Sequence, residues 1–273
     1  MRISFSTGTF YHRGLGYSLG LAREIGYDGV ELALGPEYTL RGVDYLVRTL
    51  QRFGVRALSV HPPFRGLPGW PVRATQVIPL LTTISRQVNA ELAVVHTPVL
   101  SHEKSPRAER YSLGLRLGQE AVGGAVRLGL ESNQYNLRPR RFLLDDLAAL
   151  TRFAQERNCL VTFDTCHAGA NGEDILACYE IVRPVLGNIH LSDVRFGRGR
   201  PYTHVMPGEG SLPLDRFLAA LARDGYDGLV TVEVRPEEVG WFGRERHVRR
   251  MRQALDYVRA AIGQNVETPV SRS

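Results

Sequence analysis

The segments IGYDGVEL (residues 25–32) and DGYDGLVTVE (residues 224–233) are near repeats lying towards opposite ends of the chain. Each carries a helical pattern into a glycine and then into a short β-branched stretch, which is how a helix stops and a strand begins. Working outward from them, short apolar or β-branched runs recur roughly every 30 residues, separated by longer segments of helical period. The strands read at 3–6, 30–34, 57–60, 93–95, 128–130, 160–163, 188–191 and 229–232. Helical segments fall near 17–25, 40–53, 72–89, 107–127, 141–157, 173–183, 213–223 and 244–262. Eight βα units are the count for a closed parallel barrel, so the predicted fold class is α/β, a (β/α)8 TIM barrel ringed by helices.

The last helix supports the assignment. Val248, Met251, Leu255, Val258 and Ile262 recur at helical spacing and make one buried stripe. Arg246, Arg249, Arg250, Arg252 and Arg259 are left largely for solvent, the favoured reading over a nucleic-acid face. No linker or low-complexity block divides the chain, which predicts one domain over 1–262 and a disordered tail from 263 to 273.

Composition narrows the class. The 273 residues are 43% hydrophobic and 23% charged, ordinary for a globular protein with a sizeable core. No apolar run is long enough to span a membrane, and MRISFSTGTF lacks the pattern of a signal peptide. Cys159, Cys166 and Cys178 are too few and too clustered for a disulfide framework, so reduced thiols and a cytoplasmic location are expected. The formal charge is +6, compatible with phosphorylated ligands or nucleic acid. Lys104 is the only lysine among 34 basic residues, however, so the charge equally reflects general arginine usage.

In such a barrel the C-terminal strand ends converge on one mouth, where the active site lies. The polar residues there are His61 in SVHPPF, His96 in VVHTP, Glu131 in GLESN, and Asp164 and His167 in TFDTCH. His190 and Asp193 follow in IHLSD, His204 in YTHVMPGEG, and Glu233 in VTVEV. The mouth comprises roughly 9% of the positions, so the eight histidines of the chain should place fewer than one there by chance. Three stand at strand ends, and His167 comes one turn later. Imidazole and carboxylate together suit a divalent ion, zinc foremost and manganese next; Cys166 reads as packing.

These motifs resemble the xylose isomerase-like TIM barrels, the superfamily that joins sugar isomerases and epimerases with endonuclease IV. FDTCHA, and IHLSD followed by H…GEG, match endonuclease IV signatures closely. The isomerase–epimerase branch implies one metal held by Glu131, Asp164, His190 and Glu233. The endonuclease IV branch implies three zinc ions, with His61, His96, His167 and His204 joining those four. Its ninth ligand, an aspartate two residues before His204, is Tyr202 in this chain, which puts the third metal in doubt.

Two chemistries follow. The favoured reading is a zinc-dependent phosphoester hydrolase, in which neighbouring zinc ions activate the water that bridges them; the resemblance implies that Glu131 bridges two metals and Glu233 orients or bridges the nucleophile. Arg195, Arg198 and Arg200 would neutralise phosphate in this reading. The alternative is a single-metal isomerase or epimerase of a sugar or related hydroxy-carbonyl compound. There Glu131 and Glu233, on opposite sides of the barrel, shuttle a proton. His167 and an arginine near 195–198 hold substrate oxygens, and Glu31 in GVEL is more like this branch. Phe64 and Trp70 are expected as an apolar lid over a small-molecule pocket, Asp193 and Glu209 as supports behind the ligands. The expected partner is a small sugar or phosphoester; the charge admits nucleic acid, which is not favoured, and the oligomeric state is left open.

Overall fold

A computed structural model of the chain describes residues 1–64, 66–138 and 141–263. Eight parallel strands close into a barrel: β1 (Arg2–Ser6), β2 (Gly29–Ala33), β3 (Ala57–His61), β4 (Leu92–His96), β5 (Arg127–Glu131), β6 (Leu160–Asp164), β7 (Leu186–Leu191) and β10 (Leu229–Val232). Strands β8 (Asp193–Arg195) and β9 (Tyr202–Val205) form a separate antiparallel hairpin after β7. Neighbours around the barrel run β1-β10-β7-β6-β5-β4-β3-β2.

The outer helices are α1 (Leu15–Ile25), α2 (Pro36–Phe53), α3 (Ala74–Gln87), α4 (Pro106–Val122), α5 (Leu147–Glu156), α7 (Ile175–Val182), α8 (Leu214–Arg223) and α10 (Arg244–Ala261). Two short helices, α6 (Thr165–Ala170) and α9 (Pro236–Val239), sit at the mouth. The (β/α)8 expectation therefore holds, with two corrections of detail. The helix expected to reach 127 stops at Val122, because Gly123 and Gly124 both take positive φ. The hairpin was not foreseen, since its strands are too short to show a period.

Packing follows the expected division. Phe5, Phe163, Phe217, Leu19 and Leu81 are fully buried between strands and helices. On α10, Met251, Leu255 and Val258 are buried and Val248 partly so, and Ile262, which caps the helix, is buried as well. Inside the barrel, Leu58, Leu92, Val94 and Leu229 form a small apolar plug. Above it the period-two alternation of strands brings in polar residues: Thr162, Asn188 and Thr231 stand two positions before Asp164, His190 and Glu233. Ser4 and Asn188 both bond Thr231, at 3.0 and 3.1 Å. A hydrogen-bonded polar layer thus forms the floor of the mouth. Among the described residues no helix is long and apolar enough to cross a membrane. The expected disordered tail lies, apart from Gly263, outside the described residues.

Candidate metal centre

The donor residues close an arc of consecutive strands. His61 ends β3, His96 ends β4, Glu131 ends β5 and Asp164 ends β6. His190 lies in β7, and Glu233 directly follows β10. Barrel register fixes their heights: His96 pairs with Glu131 and Asp164 with His190 across adjacent strands. Glu131 and Glu233 stand three strands apart around the ring of eight, at the two ends of an arc with β6 and β7 between them.

All eight sequence-predicted ligands come together in three overlapping groups. Glu131, Asp164, His190 and Glu233 offer donor atoms mutually within 4.8 Å, and all four are buried. His61, His96 and Glu131 form a second group; Asp164, Cys166, His167 and His204 form a third. Glu131 serves two of them with different oxygens: Oε1 lies 3.2 Å from His190 Nδ1, and Oε2 lies 3.2 Å from His96 Nε2.

Hydrogen bonds fix the imidazoles from behind. Glu31, fully buried on β2, accepts from Ser59 Oγ at 2.8 Å and from His190 Nε2 at 3.1 Å, leaving Nδ1 turned to the carboxylates. His61 Nδ1 donates to the Pro62 carbonyl, and its Nε2 faces His96 Nε2 at 3.1 Å. His167 Nδ1 donates to the Ser132 carbonyl. One nitrogen of each ring is thus anchored outward and the other is free to ligate, as in metal sites. Asp164 is divided in the same way: Oδ1 caps α6 through the His167 amide, while Oδ2 has no hydrogen-bond partner. Glu233 Oε2 is likewise without one; His190 Nδ1 approaches it to 2.9 Å but out of hydrogen-bond alignment.

Electrostatics agree with the geometry. Burial works against ionising Glu233, yet His190 and then His204 and His61 outweigh it and hold the carboxyl at about 2. Glu131 is buried too, and its bond from His190 together with the nearby imidazoles of His61 and His96 holds it well below the usual carboxylate range. Burial disfavours a charged His190, but Glu31, Glu233 and Glu131 together raise its proton affinity well above the ordinary value. A cluster that binds protons in this way, with two buried carboxylate oxygens lacking partners, fits a divalent cation in chemistry and donor set. The thiol of Cys166 is fully buried, and burial followed by Asp164 pushes it well above its ordinary value, which suits packing.

Other expected site residues stand elsewhere. Phe64 stacks on His61 with ring centroids 4.4 Å apart, and a Cβ at Gly8 would meet its ring at 2.2 Å. Trp70 does not join it; its ring packs edge-on against Tyr38 and lines a different groove. Arg195 is tied to Glu238 at 3.1 Å and Glu209 at 3.2 Å, so it is not free for substrate, and Arg198 is exposed on the hairpin loop. Glu209 contacts no ligand, because Arg250, Arg195 and Gln253 engage it on the α10 side. Asp193 turns to the neighbouring loop: its carboxylate accepts the amides of Val194, Gly208, Gly210 and Leu212, pinning the loop after β9. His204, on β9, holds a φ of 55°, an uncommon backbone state for a non-glycine residue at a site. Tyr202 carries the Arg235 guanidinium 4.8 Å over its ring.

A cleft of about 470 Å³ opens on the β1 and β2 side, where the arc of donors is interrupted. Gly8, Tyr11, Phe64, His204, Glu233 and Arg235 are among its lining residues. Among the described residues Arg235 is the cation lining this cleft, and sequence reading missed it; its one signal was its position two residues beyond Glu233, on the same face of an extended segment.

Comparison with known proteins agrees with this architecture. A fructoselysine 3-epimerase of Escherichia coli O157:H7 is 23% identical over 260 residues, covering 88% of this chain and 91% of the relative. An uncharacterized protein of Mycobacterium tuberculosis (strain ATCC 25618 / H37Rv) is 27% identical over 258 residues, covering 86% and 89%. The solved structure of the IOLI protein with a binding zinc atom superposes with a TM-score of 0.73 at 19% identity, covering 96% and 99%. The family model described as Xylose isomerase-like TIM barrel matches residues 19–261, and the chain belongs to that family.

Proposed function

We propose that the chain is a single-metal isomerase or epimerase acting on a sugar or a related hydroxy-carbonyl compound. The observation that carries this reading is the pair of buried, ionised carboxylates, Glu131 and Glu233, flanking one four-donor group beside an open cleft. The near full-length similarity to a fructoselysine 3-epimerase supports it over phosphoester hydrolysis. A second reading, the zinc hydrolase, draws on one specific observation: the two further donor groups around His61 and His204.

A divalent cation held by Glu131, Asp164, His190 and Glu233 would supply polarisation of the substrate carbonyl and hydroxyl oxygens, acidifying the adjacent C–H. The protein's own part is proton transfer. Glu131 and Glu233 reach the mouth from the two ends of the arc, so one removes the carbon-bound proton and the other, when protonated, returns one to the opposite face. Tyr11 and Arg235 line the cleft with groups that bind hydroxyls, and Phe64 stands over His61 to exclude water.

The test is carbon–hydrogen exchange. Metal-loaded protein is incubated with ketose epimer pairs in D2O and followed by NMR. Epimerisation with deuterium entering beside the carbonyl is expected, and Glu233→Gln should slow it by about 10²–10⁴-fold. Phosphodiester cleavage with no carbon exchange in any ketose would overturn the reading in favour of hydrolysis.

A further inference from the structure

The cleft beside the donor cluster is polar at one end only. Glu233 and Arg235 line it just after β10, and His204 lines it from β9. The opposite wall, built after β2 and β3, is Leu34, Pro36, Pro63, Phe64 and Leu67 with two glycines. Among the described residues no side chain of that wall can form a hydrogen bond. Midway, after β1, Thr9 is already engaged, its Oγ1 donating to the Val234 carbonyl at 3.0 Å. A molecule with hydroxyls along its whole length would lose water at the far wall and gain no partner in exchange.

Behind that wall the cleft continues into a side pocket of about 80 Å³. Gly8, Tyr11, Leu34, Gly35, Pro36 and Phe64 line both spaces. The pocket runs in towards α1 and α2, where Phe10, Leu15, Leu32 and Leu46 are among its buried walls. Glu37 and Thr7 also line it, and both are engaged. Glu37 accepts from the Leu15 amide at 2.6 Å and the Tyr45 hydroxyl at 2.8 Å, and Thr7 Oγ1 accepts the Ala33 amide at 2.9 Å. Ser18 is not engaged. It lines the pocket from α1, is 1% exposed, and its Oγ has no hydrogen-bond partner. A buried hydroxyl in that state destabilises the fold unless a group from outside reaches it.

The dimensions suit one molecule. β10, β1 and β2 are consecutive around the barrel, and strands about 4.8 Å apart put the ends of β10 and β2 roughly 10 Å from one another. The pocket offers roughly half the space that takes a benzene ring, so an unbranched chain enters it and a ring does not.

We propose that the substrate carries an aliphatic arm. The arm leaves the reacting carbons at the Glu233 end, follows the wall of Phe64 and Pro36, and finishes in the side pocket with an oxygen on the Ser18 hydroxyl. Ser18 and the pocket walls then determine specificity without touching the reacting atoms. The inference rests on the isomerase or epimerase reading only for what happens at the glutamates; seating of the arm does not depend on it.

The experiment titrates metal-loaded protein calorimetrically with α-hydroxyketones whose unbranched tail lengthens by one methylene at a time, and with matching compounds that end in a hydroxyl. Each methylene taken out of water should tighten binding about fourfold until the pocket is full. At that length the compound ending in a hydroxyl should bind Ser18→Ala about fivefold more weakly than wild type. Ser18→Leu, which fills the pocket, should abolish the gain from the last methylenes. Ser18→Ala removes a hydroxyl that has no partner, so its melting temperature should not fall, and it keeps the test decisive if Ser18→Leu folds poorly. Affinity independent of tail length, or no binding by any member, overturns the proposal. A gain shared unchanged by both Ser18 variants overturns it too, because the arm then lies outside the pocket. Equal affinity of wild type and Ser18→Ala for the hydroxyl-ended compound overturns the oxygen at its tip. The same compounds are followed by NMR in D2O. Exchange beside the carbonyl with no dependence on the tail overturns the arm and leaves the isomerase or epimerase reading standing. Tail-dependent binding with no exchange in any compound keeps the arm and removes that reading.

Discussion

Glu31 offers the sharpest test of the candidate centre, because it touches no substrate-facing surface and reaches the site through one histidine. Its Oε2 accepts from His190 Nε2, Ser59 Oγ and, at 3.5 Å, Asn188 Nδ2. Glu31→Gln can keep an oxygen in that place, so the bonds survive but their charge assistance goes. A bond to a charged acceptor is worth about 1.5–3 kcal/mol against about 0.5–1.5 for a neutral one, a difference near 1.4 kcal/mol or tenfold in affinity. Glu31→Ala removes the acceptor altogether and frees the ring to turn, which should approach the 100-fold end of the range for such supporting residues. The assay is competition for Zn²⁺ against a chromophoric chelator, with thermal unfolding of metal-free and metal-loaded protein beside it. A purely structural role would lower both melting temperatures equally; an orienting role narrows the gap between them. Zinc affinities of both variants within about twofold of wild type would refute the argument that Glu31 sets the donor nitrogen of His190.

Two further outcomes follow from the loop after β9 and its brace to α10. A Cβ at Gly210 would lie 2.3 Å from Asp193 Oδ1 and 2.5 Å from the Val194 carbonyl, so Gly210→Ala should cost about 3 kcal/mol by displacing the carboxylate that pins residues 208–212. Urea unfolding gives that number directly, and a change under about 0.5 kcal/mol would show that the loop yields without strain. Glu209 is held below its ordinary 4.5, first by its hydrogen bond with Arg250 and against a smaller opposing effect of burial. A depressed carboxylate stabilises the fold above the unfolded value and loses that contribution as pH falls through the folded one. Glu209→Gln should therefore cost about 1 kcal/mol at neutral pH, with the difference from wild type vanishing as pH falls below 4.5 through the folded value; a gap that persists in acid would assign the effect to packing.

Much of the donor set could be read from the chain because a parallel barrel turns a local property, the last residue of a strand, into a shared location. His61, His96, Glu131 and Asp164 each end a strand, so strand boundaries alone brought them together. The role of Glu31 was not readable in that way. It meets His190 across 159 positions and from a strand that is not its neighbour in the sheet, a contact that only closure of the barrel creates. The arginines failed for a different reason: in a chain this rich in them, sequence cannot distinguish Arg195, neutralised by Glu209 and Glu238, from Arg235, which lines the cleft. Trp70 and Phe64 are six positions apart, but the turn at 62–64 sends them to different chambers.

The division between strand-end donors and the segments around them has a consequence for how such a protein changes over evolutionary time. The six donors are set by the register of β3, β4, β5, β6, β7 and β10, whereas the chambers are walled mainly by connecting segments and helix starts. Exchanging the stretch between β3 and α3, or the opening of α2, would redraw which molecules are admitted while the reactive centre stays as it is. Selection for a new substrate can therefore act on a few connecting segments, and the chemistry is inherited intact.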